Sequence, residues 1–126
     1  MARNVNPITT YKLFTGTSIA ASGSLTSVIV DLRNAAPNGL FSVYLIMAGS
    51  GTAKVEYLLC MTEEGTFLEP STASDIASSQ TATSGPGSDG KTLISFEPEL
   101  APFMRIRITE TGASQAITPS LWLSVQ

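Results

Sequence analysis

Histidine is absent from the 126 residues of this chain. That removes Ser-His-Asp and Cys-His arrangements and nearly every zinc site, because each uses an imidazole as base or ligand. Cysteine occurs once, as Cys60, so no internal disulfide can form. It stands among apolar residues of an expected strand and reads as a small buried hydrophobe, not as a reactive thiol. Charge is scarce too. Asp, Glu, Lys and Arg make up 13% of the chain, against about 25% in an average soluble domain. A net charge of −3 argues against binding nucleic acid through its phosphates. No run approaches the ~18 apolar residues of a membrane span. The opening stretch MARNVNP has no apolar core of a secretion signal. The expectation is a protein made in the cytosol with no nucleic-acid or membrane partner.

Catalytic and ligand-binding patterns are missing as well. Glu63 and Glu64 fall in a turn, and Glu97 and Glu99 flank Pro98. Both pairs read as solvated turn charges, not as two acids facing one cleft. Asp89-Gly90 lacks the run of oxygen ligands of a calcium loop. Gly85-Pro86-Gly87 lacks the adjoining helix and lysine of a phosphate loop. No enzymatic activity, cofactor or metal is expected.

What the chain does contain is strand pattern. Residues 39–61, GLFSVYLIMAGSGTAKVEYLLCM, read as two long strands joined by Gly49-Ser50-Gly51-Thr52 in an antiparallel hairpin. In the first arm Phe41, Val43, Leu45 and Met47 share one face, and Leu40, Tyr44 and Ile46 the other. In the second arm Val55, Tyr57, Leu59 and Met61 share a face, while the opposite face changes from Lys54 and Glu56 to Leu58 and Cys60. Arms apolar on both faces need cover on both sides. Other expected strands lie at 11–14, 18–20, 25–32, 91–97, 103–109 and 117–125. In 25–32, Val28, Val30 and Leu32 share a face. The alternation is cleanest in 103–109, with Met104, Ile106 and Ile108 inward and Arg105, Arg107 and Thr109 outward. Residues 71–90, STASDIASSQTATSGPGSDG, carry one large apolar side chain, Ile76, and read as a mobile or surface-lying loop.

About eight short strands with no helical period predict an all-β fold. Its expected form is an antiparallel β-sandwich of jelly-roll or Greek-key type. A polar, proline-interrupted arm spans 1–9 and one domain spans 10–126. Val28, Val30, Met104, Ile106, Ile108, Leu121 and Leu123 can supply the core for one face of the 39–61 segment. The face with Leu40, Tyr44, Ile46, Leu58 and Cys60 is left for the chain's own ends or another subunit.

Two pieces, KVEY running into TEEGTFLEP (residues 54–70) and ISFEPELAPFMRIRIT (residues 94–109), together resemble small β-sandwich virion proteins of tailed bacteriophages. These are capsid decoration (cement) proteins and related head or tail accessory proteins. The resemblance covers roughly residues 53–110 and rests on strand-and-turn style. It implies a non-enzymatic virion protein that self-associates, often as a trimer, and clamps other virion proteins such as the major capsid protein. No site residues carry over from it.

The residues themselves nominate contact positions. Arg3 belongs to a basic segment, since residues 1–33 carry a net +2 and the rest −5. Tyr11, Tyr44 and Trp122 are polar-tipped aromatics suited to interfaces. Ile46 lies beside Tyr44 on the uncovered face. Arg105 and Arg107 stand two apart on one strand face, placed either for a partner's acids or for balance by Glu56, Glu97 or Glu110 across the sheet. A carbohydrate- or receptor-binding β module is the other functional class this pattern fits.

Overall fold

A computed structural model describes residues 7–126. Nine strands follow one another: β1 (Thr9–Phe14), β2 (Ser24–Thr26), β3 (Val30–Asp31), β4 (Phe41–Ile46), β5 (Ala53–Cys60), β6 (Ala77–Gln80), β7 (Lys91–Phe96), β8 (Phe103–Glu110) and β9 (Ser120–Val125). No helix occurs among the described residues. One sheet has the order β1-β9-β4-β7, and the other has β2-β8-β5-β6 with β3 also paired to β8. Every pairing is antiparallel. Because β2 and β3 both lie along β8, they behave as one interrupted strand. The remaining order, with the chain passing from sheet to sheet, is that of a jelly roll.

The core lies between the sheets. From the first sheet come Val43, Leu45, Leu121, Leu123 and Val125, and from the second Val55, Met104, Ile106 and Ile108, all buried. The period of two along β4, β8 and β9 puts these residues inward and their neighbours outward. Full burial of such a side chain stabilises by about 1.5–3 kcal/mol relative to exposure.

Residues 39–61 do not form a hairpin. β4 lies in the first sheet and β5 in the second, so the connection at 47–52 bridges the sandwich. Its backbone polar groups pair with other segments and not with each other. Met47 N donates to Gly90 O, Gly51 N to Ala116 O, and Thr118 N to Ala48 O. Gly51 has no room for a side chain, since an added Cβ would lie 2.5 Å from Gln115 O and 2.9 Å from Glu110 Oε2.

Three further expectations are corrected. The 25–32 strand is broken by a bulge in which Ser27 to Ile29 oppose Arg105 and Ile106. Ser27 N donates to Ile106 O, and Ser27 Oγ accepts from Ile106 N. The extra residue turns Val28 out to solvent, 69% exposed, while Val30 stays buried, so Val28 adds nothing to the core. The 18–20 strand reduces to a single bridge, Ile19 to Ile117. The 71–90 segment is not simply a surface loop. Ile76 and Ala77 are buried, and β6 pairs with β5. Within it Thr81, Ser84 and Gly90 are tied by Thr81 N to Ser84 Oγ (2.9 Å) and Gly90 N to Ser84 O (2.8 Å). Small polar residues here satisfy one another locally, which composition alone does not reveal.

Candidate functional site

The outer face of the first sheet presents cross-strand rows fixed by register. Thr10, Ser124, Ser42 and Ser95 form one row, and Lys12, Trp122, Tyr44 and Leu93 the next. Ser120, Ile46 and Lys91 form a third. On the other side of the hydroxyl row, Leu40 and Gln126 exchange both backbone bonds (3.1 and 3.0 Å), extending the register by one residue. The second row is a ridge. Tyr44 and Trp122 lie with ring centroids 5.5 Å apart, Lys12 Nζ sits 4.7 Å from the Trp122 ring centroid, and Leu93 is 72% exposed. Beside it the hydroxyl row floors a groove of about 640 Å³ walled by Ile8, Leu40, Glu97 and Gln126.

This face collects Tyr44, Ile46 and Trp122 of the nominated positions. The other positions lie elsewhere. Tyr11 opposes Leu123 and packs against the core. Arg105 and Arg107 occupy the outer face of the second sheet, where each has partners within the chain. Arg105 Nε donates to Ser27 O at 2.7 Å, and its guanidinium lies 5.5 Å from the Phe67 ring centroid. Arg107 bonds Glu56 through Nε and NH2, both at 3.1 Å. Of the three acids named as balance, only Glu56 serves. Arg3 lies outside the described residues. Leu58 is buried, and Cys60, half-buried, stands 4.0 Å from Thr62 Oγ1 and is not a full core residue.

The most buried acids are structural. Glu110 continues the inward alternation of Met104, Ile106 and Ile108, which places it opposite in facing to the arginines. Its carboxylate accepts four backbone N–H bonds, from Ser22 (2.9 Å), Thr52 (3.0 Å), Gly112 (2.7 Å) and Ala113 (2.9 Å). These donors hold its pKa down to about 2, although burial opposes them. Three connections are thereby pinned at one end of the sandwich. The parity of β8 was the signal for this role; the donors come from segments far apart in sequence and could not be read from it.

Glu56 is 3% exposed. Burial works against its charge, but the hydrogen bond from Arg107, the neighbouring Glu69 and the nearby Lys54 (3.5 Å) outweigh it and lower its pKa. Glu69, whose carboxyl sits beside that of Glu56, has its pKa raised by that neighbour, which favours its protonated form. With Asp75 these two acids bring carboxylate oxygens within 4.8 Å of one another, a set able in principle to hold a metal ion. Two cations already neutralise Glu56, so the cluster is explained as an internal ion network. Nearby, Tyr57 donates to Glu99 Oε1 at 2.7 Å and Thr72 donates to Oε2 at 3.0 Å. Burial and the Glu99 carboxylate push the Tyr57 hydroxyl up to about 12. These side chains, with Asp75 and Glu97, line a polar cavity of about 330 Å³. A separate apolar groove of about 610 Å³ is lined by Met61, Leu68 and Leu100, which are 68%, 63% and 94% exposed.

No protein-family model matches this chain, and a search of curated proteins returned no match.

Proposed function

We propose that this chain is a non-enzymatic structural protein of a bacteriophage virion that self-associates and binds the capsid surface as a decoration protein. One observation carries the reading. A sandwich of this size leaves two separate apolar surfaces uncovered: the Trp122–Tyr44–Leu93 ridge with its groove, and the Met61–Leu68–Leu100 groove. Contiguous exposed apolar surface on a small domain marks contact with other macromolecules. A protein that cements a shell contacts both its own copies and the shell. The acids that could suggest catalysis are engaged within the fold, Glu110 by backbone donors and Glu56 by Arg107 and Lys54.

The test is sedimentation of the purified chain together with binding to virus particles stripped of accessory proteins. Self-association and saturable binding to particles are the expected results. A monomer that does not bind particles overturns the reading. A second reading, a carbohydrate- or receptor-binding module, draws on the Tyr44–Trp122 pair beside a row of hydroxyls. It requires hits on a glycan array that vanish on Trp122→Ala.

A further inference from the structure

We infer that the outer face of the first sheet pairs with the same face of a second copy about a two-fold axis, with the ridge of each copy filling the groove of the other. The inference rests on the self-association reading above and names the surface and symmetry that would produce it. Its basis is the order of the rows. Along the strand direction the face reads Leu40–Gln126, with Glu97 just past the end of β7 on the same side of the groove, then Thr10–Ser124–Ser42–Ser95, then Lys12–Trp122–Tyr44–Leu93, then Ser120–Ile46–Lys91. A two-fold axis that runs across the strands between the second and third rows reverses this order in the partner. The bulky third row then faces the small second row, and the first row faces the fourth.

Each consequence of that operation is favourable. Trp122, Tyr44 and Leu93 meet Ser124, Ser42 and Ser95, and Lys12 meets Thr10, large against small, which two sheets about 10 Å apart require for close packing. Leu40, 57% exposed, meets Ile46 of the second copy. Lys91 opens β7 and Glu97 directly follows its last residue, six positions on, so Lys91 of each copy meets Glu97 of the other. Both side chains are exposed, and neither forms an ion pair with a described residue. A surface that pairs with itself about a two-fold must carry complementary charges and shapes at matched distances from the axis. This one does so in three places. The hydroxyl row keeps its polar atoms within reach of water or of Lys12 and the Tyr44 hydroxyl across the interface.

Four strands about 4.8 Å apart and six residue steps of about 3.3 Å give a footprint of about 19 by 20 Å. The two faces together cover roughly 760 Å² of sheet, below the size of a standard specific contact, so the pairing is weak and reversible. Weak pairing suits a protein that is concentrated on a lattice, where a second contact raises the effective concentration.

A charge-swap series measured by sedimentation equilibrium up to about 1 mM tests the pairing. Wild type sediments as a monomer–dimer mixture. Lys91→Glu and Glu97→Lys each weaken the dimer about tenfold by setting like charges against each other twice per interface. The double variant Lys91→Glu/Glu97→Lys recovers wild-type association. Thermal melts of the monomers stay unchanged, because both residues are exposed. A dimer or trimer indifferent to all three variants overturns this pairing and leaves self-association standing through another surface. A chain that stays monomeric across the whole range overturns both.

Discussion

Glu110 shows how much one residue can hold. A carboxylate with four backbone donors satisfies N–H groups of three separate connections, and its protonation would weaken all four bonds and set the new O–H against the donors on one oxygen. Its folded pKa, about 2, lies below the value of about 4.3 expected in the unfolded chain. The unfolded state therefore binds the proton more tightly. The stabilisation is complete above about pH 5 and is lost as pH falls towards 2. Denaturant midpoints measured between pH 7 and pH 2.5 should fall steeply for the wild type and much less for Glu110→Gln, which is already less stable at pH 7. Tyr57 has the opposite sign. A hydroxyl raised to about 12, against about 10 unfolded, contributes stability present below pH 10 and lost as pH rises towards 12. In an ultraviolet titration of the phenolates, Tyr57→Phe should remove the last-ionising component.

Within single strands and turns, alternation and turn chemistry carry different amounts of information about the fold. The alternation in β8 and β9 was legible because one face of each strand packs on the core and the other does not. The residues it placed inward, Met104, Ile106, Ile108, Leu121 and Leu123, are fully buried. Ile106→Ala should cost about 2–5 kcal/mol in chemical denaturation, with the loss of packing in the middle of the sandwich as its cause. Turn chemistry misled at Gly49-Ser50-Gly51-Thr52. Small residues there suit a tight hairpin equally with a crossing that lies against another segment, and only the packing of 110–118 distinguishes the two. Gly51→Ala should therefore destabilise strongly, because the new methyl meets the Gln115 carbonyl and the Glu110 carboxylate. A hairpin glycine of ordinary torsion would tolerate alanine. The bulge at Ser27 to Ile29 was equally hidden, since it depends on Ser27 replacing a ladder position opposite Ile106.

For the whole molecule, the informative contrast is between its two outer faces. The outward cations of the second sheet are engaged by their own chain: Arg107 by Glu56, and Arg105 by Ser27 and Phe67. The first sheet keeps large apolar side chains open to solvent, with Leu40 57% and Leu93 72% exposed. Tyr44→Glu or Ile46→Glu should thus abolish association while the far-ultraviolet dichroism and melting temperature stay close to wild type, as both side chains are directed away from the core. Variants that remain associated but unfold would place this face in the monomer's own stability.

Alternation along the chain is enough for the fold class, for the inward set of β4, β8 and β9, and for the placing of Tyr44, Ile46 and Trp122 on one strand face each. These follow from a period of two, which is local and survives any tertiary arrangement. It also narrowed the sandwich to jelly-roll or Greek-key type without choosing between them. Tertiary structure alone decided that residues 39–61 bridge the sheets, that Glu110 is an internal clamp, that Arg105 and Arg107 are engaged at home, and that Tyr44, Trp122 and Leu93 stand in one row. Those four depend on which strands become neighbours. Strand neighbours are chosen by burial and backbone pairing summed over residues far apart in the chain, and no local pattern records that sum.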